Sequence, residues 1–267
     1  MPTLQIGSHT AWYEEHGSGP PLLLIPGLGA SRLSWWKQIE PLSRRHRVIS
    51  FDNRDAGDSA HATAPYSIGE LAEDAAQAIE ALDLGPTCVM GWSMGTFISQ
   101  ELAIRHPERI GKLILVAGSA GGATQTRAVP EIAALLRRSE TEPIETRVRR
   151  TYPLLAAPGY MEQHPADLDR LVWSQSAKPM SFACYQRQLG AIMNWPGVGP
   201  RLPQVETPTL VIHGDVDPLV PYPNGEYIAS QMPHATLSTY AGVGHLPPIE
   251  APERFNREVQ EFLEFGA

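Results

Sequence analysis

The sequence predicts an α/β fold, a mostly parallel β-sheet with helices on both faces, and three observations carry that expectation. Short apolar runs of strand length recur at residues 22–25, 48–51, 88–91, 113–117, 210–213 and 235–240. Stretches with helical spacing of apolar residues separate several of them, the alternation that buries a parallel sheet between helices. Turn residues, above all Gly and Pro, punctuate the boundaries.

The elements follow in order. Leu4 and Ile6, then Ala11 and Tyr13, alternate with polar residues around Gly7-Ser8, which reads as a hairpin. The run 22–25 feeds into Pro26-Gly27-Leu28-Gly29, a turn of the kind that presents backbone N–H groups to a negative charge. Ser67 and Glu70 form a capping box, followed by a stripe of Leu71, Ala75, Ala78, Ile79 and Leu82 that Gly85-Pro86 stops. After Cys88-Val89-Met90 the chain reads Gly91-Trp92-Ser93-Met94-Gly95 and enters a helix over 96–106. From 120 to 196 there is no strand pattern, only helical pieces broken by prolines. This stretch has nine Lys and Arg against seven Asp and Glu, a net +2 in a chain of net −8. Its Arg137-Arg138 and Arg147, Arg149, Arg150 groups read as solvated helix faces. Pro252 opens a last helix with the stripe Phe255, Val259, Phe262 and Leu263.

Composition narrows the function classes. At 267 residues, 42% hydrophobic and 19% charged, the chain is an ordinary globular sequence. A net charge of −8 argues against nucleic acid or an anionic membrane surface as the main partner. Cys88 and Cys184 make no disulfide framework, no basic-then-apolar leader opens the sequence, and no apolar run reaches bilayer-spanning length. The expectation is a cytoplasmic protein without membrane insertion. No pair among the nine histidines has metal-ligand spacing, so neither a metal nor another cofactor is expected.

Sheets of this class hold ligands at the carboxyl ends of their strands, and three strand ends carry chemistry. Gly91 to Gly95 is the G-x-S-x-G pattern between a strand and a helix, a turn so tight that it pushes Ser93 out at the top of the sheet. A serine needs a base, and the base needs an orienting carboxylate. After residues 210–213 come Gly214-Asp215-Val216-Asp217, and after the last strand Gly242-Val243-Gly244-His245-Leu246-Pro247. The order Ser, Asp, His, each beyond its own strand, is that of the α/β-hydrolase triad. His213 reads as a buried strand-end residue and His106 as a helix terminus.

With "FDNRDAGDS", "GWSMG", "RHPERI", "VIHGDVDPLVP" and "GVGHLPPIEAPERF" in register, the chain resembles the α/β-hydrolase superfamily over essentially its whole length. The resemblance is to the branch of small carboxylesterases, enol-lactonases and cofactor-free perhydrolases. It implies an eight-stranded sheet, with a core of residues 1–119 and 197–267 and a helical cap of 120–196 inserted after strand 6. It implies Ser93 as nucleophile, His245 as general base and acid, and backbone N–H groups of Leu28 and Met94 as an oxyanion hole. Of the two carboxylates, Asp217 matches the family's G-x-x-D-x-x-x-P pattern with Gly214 and Pro221, leaving Asp215 a capping or solvated place nearby. Pro26 stands where relatives more often have histidine, and Asp55 where they commonly have glycine. Trp36, Trp92, Tyr152, Trp173, Tyr185 and Leu246 are candidates for the pocket wall. The function implied is hydrolysis of small to medium carboxylic esters by water through an acyl-enzyme. A lactonase or perhydrolase with the same triad is the alternative, and a receptor-like binding protein without turnover is the reading from another class.

Overall fold

The computed structural model describes residues 2–7 and 9–266, so Ser8 of the expected Gly7-Ser8 turn lies outside the described residues. Eight strands form one sheet: β1 (Thr3–Ile6), β2 (His9–His16), β3 (Pro21–Ile25), β4 (Arg47–Phe51), β5 (Thr87–Trp92), β6 (Ile110–Val116), β7 (Thr209–Gly214) and β8 (Ala235–Tyr240). Their spatial order is β1-β2-β4-β3-β5-β6-β7-β8. The β1–β2 hairpin and the β2–β4 pair are antiparallel. All pairs from β4 to β8 are parallel, which aligns the ends of β3, β5, β7 and β8 along one edge.

Alternation along the strands divides the core. Leu23 and Ile25 of β3, with Leu113 and Leu115 of β6, face a layer built on α2 (Ile68–Ala81) and α3 (Met94–Arg105). Their neighbours Leu22, Leu24, Ile114 and Val116 face the opposite layer. Short α1 (Ile39–Ser43) lies on that side with α11 (Pro252–Phe265), whose Phe255, Val259 and Leu263 are buried while Phe262 packs at the margin. The capping box of α2 forms in both directions, Ser67 Oγ accepting from the Glu70 N–H and Glu70 accepting from the Ser67 N–H.

Between β6 and β7 the chain makes no strand. It forms α4 (Pro130–Ala133), α5 (Ile144–Leu155), α6 (Tyr160–Gln163), α7 (Pro165–Ala177) and α8 (Phe182–Met193), which lie over the carboxyl ends of the strands. Helix α9 (Pro223–Gln231) and short α10 (Pro247–Glu250) complete the molecule. Ion pairs tie these inserted helices to the loop after β4. Arg187 of α8 donates two hydrogen bonds to Asp55, at 2.8 and 2.7 Å, and Lys178 donates to Asp58 at 2.6 Å. Asp55 has φ +70, the left-handed conformation that makes glycine the easy choice there, and here an aspartate takes it while pairing with Arg187. Among the described residues no helix is long and apolar enough to cross a membrane.

Candidate active site

Ser93 sits between β5 and α3 at φ +56, ψ −117, a backbone conformation costly for any residue with a side chain. The flanking glycines explain how the turn closes. A Cβ on Gly91 would lie 2.3 Å from the Gly95 carbonyl oxygen, and one on Gly95 would lie 2.1 Å from that of Ile25. The Ser93 N–H donates to the Val116 carbonyl at 2.9 Å, fixing the elbow to β6. Its hydroxyl faces the cavity under the inserted helices.

His245, beyond β8, brings Nε2 to 3.1 Å from Ser93 Oγ and Nδ1 to 2.7 Å from Asp217 Oδ2. Asp217, beyond β7, has a fully buried side chain, and its Oδ1 accepts the N–H groups of Leu219 and Val220, both at 2.8 Å. An acceptor-only carboxylate on Nδ1 assigns the proton to that nitrogen and leaves the Nε2 lone pair facing the serine. Asp215 lies on the exposed side of the same loop and accepts the Gly242 N–H at 2.7 Å, so Asp217 alone of the two meets His245.

Each member of this chain has its own support. The His245 N–H donates to the Leu155 carbonyl at 2.8 Å, and its carbonyl accepts from Trp92 Nε1 at 3.1 Å. The half-buried Glu250 carboxylate accepts the N–H groups of Gly244, Leu246 and Ala157 at 3.0, 2.9 and 2.8 Å, bracketing the histidine. Burial raises the pKa of that carboxyl, with the three N–H bonds opposing. His213 is fully buried at the end of β7, with Nε2 at 2.7 Å from the Val220 carbonyl and 3.6 Å from Asp217 Oδ2. Burial lowers its pKa, which keeps the ring neutral, and it props the loop that carries Asp217.

The turn after β3 passes directly over the serine. A Cβ on Gly27 would come within 3.2 Å of Ser93 Cβ. Among the described residues no protein acceptor takes the N–H of Leu28 or of Met94. The support left open by Pro26 comes from two sides. Asn53 Nδ2 donates to the Pro26 carbonyl at 3.4 Å, and Gln188 of α8 accepts the Gly29 N–H at 3.0 Å on Oε1. Gln188 also donates to the Arg54 carbonyl at 3.2 Å, so one fully buried amide clips the turn to the inserted helices. Gly29 needs to be glycine, with φ +69 and the Tyr185 ring 3.1 Å from where its Cβ would stand.

Of the expected wall residues, Trp92, Tyr152, Tyr185 and Leu246 line the cavity with Leu28 and Ser93. Two do not. Trp173 is 45% exposed on the outer face of α7 beneath the Arg170 guanidinium, because Leu171 and Ser174 take the inward face. Trp36 lies in a surface groove with Lys37 and Pro252, while its neighbour Trp35 is the one buried against Trp92, ring centroids 5.7 Å apart. A further correction concerns the arginines: Arg149 and Arg150 are exposed as expected, but Arg147 is buried in the cavity wall. Glu250 had a visible signal, its place at the end of the "GHLPPIE" string. Gln188 had none, being one of two glutamines on an amphipathic helix.

A family model described as alpha/beta hydrolase fold matches residues 20–252. Over 241 residues the chain is 31% identical to a Serratia proteamaculans protein named "Putative carbamate hydrolase RutD", covering 89% of this chain and 88% of that one. It is 29% identical to 3-oxoadipate enol-lactonase 2 of Acinetobacter baylyi, over 91% of this chain and 88% of the relative. A thermophilic esterase from Thermogutta terrifontis superposes with a TM-score of 0.85 at 25% identity, covering 99% and 98% of the two chains. The family match spans most of the chain, and the strand order and strand-end loops agree with it: this protein belongs to the alpha/beta hydrolase family.

Proposed function

We propose that this hydrolase cleaves small carboxylic esters, including cyclic ones, through an acyl-enzyme on Ser93. The observation that carries the reading is the unbroken hydrogen-bonded chain from Ser93 Oγ through His245 to the buried Asp217. His245 Nε2 takes the hydroxyl proton as Oγ attacks the acyl carbon, and Asp217 holds the imidazolium that forms. The carbonyl oxygen becomes negative and is met by the free N–H groups of Leu28 and Met94, which bind it more strongly than they bind the ground-state carbonyl. Collapse expels the alcohol, protonated by His245. Water then attacks the acyl carbon with His245 again as base, releasing the acid and restoring the serine. In a lactone the leaving alcohol stays tethered to the acyl group, so the same steps open the ring. The likeness to an enol-lactonase is the observation that favours testing this second substrate form.

Ser93→Ala is the deciding variant. It should abolish hydrolysis of short p-nitrophenyl esters and labelling by a fluorophosphonate, and survival of either activity would refute the assignment. A wild-type panel of esters, lactones and carbamates separates the substrate forms, and failure to turn over any of them would favour the binding-protein reading.

A further inference from the structure

The proposed chemistry uses one end of the cavity, and the wall formed by α5 holds a second polar cluster. Arg147 is 8% exposed and lines the cavity with Ser93. Its guanidinium makes one hydrogen bond, Nη2 donating to Gln175 Oε1 at 3.2 Å, and its buried Nε has no partner. Among the described residues no carboxylate lies within 4.0 Å of it. One turn further along α5, on the same face, the buried Thr151 hydroxyl also lines the cavity and also has no partner.

Three other arginines that the fold buries or half-buries are each paired with carboxylates. Arg32 pairs with Asp52, Glu14 and Asp58, Arg54 with Asp74, and Arg187 with Asp55. Around Arg147 the charges do not cancel. Arg138 is half-buried and equally without an ion pair, its guanidinium 5.5 Å from the Tyr185 ring centre while that of Arg147 is 6.0 Å from it. Glu142 is engaged by Arg150 through two hydrogen bonds of 3.0 and 3.1 Å. Burial and the neighbouring Arg147 push Arg138 below its ordinary pKa, as expected for two neighbouring cations with no carboxylate paired to either. The Tyr185 ring face offsets part of this cost but offers no acceptor for the N–H groups.

We infer that the cavity accepts a substrate bearing a carboxylate, which pairs with Arg147 and takes the Thr151 hydroxyl while its ester or lactone carbonyl lies at Ser93. This rests on the hydrolase reading for the carbonyl end, whereas the anion end rests on the buried unpaired cation. A charged hydrogen-bonded pair in such a site is worth about ten- to a hundredfold in affinity.

Two measurements test it. In turnover, wild type is given monomethyl adipate against methyl hexanoate, and 4-acetoxybutanoate against pentyl acetate. These pairs carry the anion on the acyl side and on the alcohol side. At least one anionic ester should exceed its neutral partner roughly tenfold or more in kcat/KM, and the ratio should collapse toward one in Arg147→Met and recover in part in Arg147→Lys. In binding, calorimetry with adipate against hexane-1,6-diol reads the cation without turnover. Adipate should bind, and its Kd should rise about ten- to a hundredfold in Arg147→Met. If Arg147→Met does not fold, Thr151→Val, which should lower the anionic preference, and the wild-type ratios carry the test. Equal rates within both pairs, or equal binding of adipate and the diol, overturn the inference even if neutral esters are hydrolysed well. Arg147-dependent binding of adipate with no ester turned over sustains the anion site and overturns the hydrolase reading.

Discussion

Gln188→Met removes the amide that clips the turn after β3 to α8 while nearly keeping the volume of the side chain. In the native fold Gln188 Oε1 accepts the Gly29 N–H at 3.0 Å and Nε2 donates to the Arg54 carbonyl at 3.2 Å. A buried donor or acceptor left without a partner costs about 1–3 kcal/mol. Gly29 and Arg54 are themselves only half-buried, so water can reach their freed groups, and the net loss of stability should be about 2 kcal/mol. The effect on turnover follows from position: Gly29 adjoins Leu28, whose N–H is proposed to meet the oxyanion. Deleting one oxyanion donor outright typically costs about 10²- to 10³-fold in kcat. A turn that has lost one of its two side-chain braces, with Asn53 still holding Pro26, spends only part of its time misaligned. The expected loss is therefore about 10- to 30-fold in kcat, or roughly 1.4–2 kcal/mol of transition-state stabilisation. KM for a short ester should change less than about threefold, since Gln188 does not line the cavity. Steady-state kinetics with p-nitrophenyl butyrate and a thermal melt on the same sample give all three numbers. A fall in Tm with kcat within twofold of wild type would refute the reasoning, for it would make Gln188 an anchor of the inserted helices and nothing more.

The two loop carboxylates should separate sharply. Asp217→Asn presents an N–H to His245 Nδ1, forces the proton onto Nε2 and should lower kcat by on the order of 10³- to 10⁴-fold, whereas Asp215→Asn should stay within about twofold by the same assay. Acid stability should also depend on buried histidine. The His213 pKa is lowered in the folded state, so below the ordinary value near 6.5 the unfolded chain takes the proton first and stability falls as pH falls. The slope from this one group is about 1.4 kcal/mol per pH unit between its folded value and 6.5. Denaturant melts from pH 7 to 5 should show a shallower decline in His213→Gln, which retains an N–H for Val220. Glu250, with its raised pKa, contributes a slope of opposite sign in both proteins and cancels in the comparison.

What could be read from the sequence was what is local. The turn around Ser93 is written in five residues because Gly91 and Gly95 answer to backbone atoms of the bend itself and of the adjoining β3. The capping box at Ser67 and the stripe of α11 are likewise matters of spacing along one element. Asp217 and His245 could be placed at strand ends, but their meeting is a product of the parallel order that brings β7 beside β8. Residues that act across the fold left weaker marks. Gln188 meets Gly29 from 159 positions away, and Glu250 meets Ala157 from 93. Trp35 and Trp36 show the limit within two residues: both are tryptophans, and only the winding of the short turn decides which is buried.

The inserted helices do more than cover the sheet. Helix α5 ends by accepting the His245 N–H on the Leu155 carbonyl, and the segment after it gives the Ala157 N–H to Glu250. Helix α8 holds the turn after β3 through Gln188 and grips Asp55 through Arg187. The same α5 carries Arg147 and Thr151 into the cavity. Placement of His245, shape of the turn over the serine and the position of the cation proposed to meet the substrate thus depend on the same two helices. A substitution where α5 packs on α7 should then shift kcat and KM together, while a change on the exposed face of α7, such as Trp173→Gln, should move neither. Wild-type kinetics in Trp173→Gln beside a joint loss in a variant such as Val148→Ala, whose side chain is fully buried, would bear this out. A loss confined to stability in Val148→Ala would instead show that the sheet alone sets the site geometry.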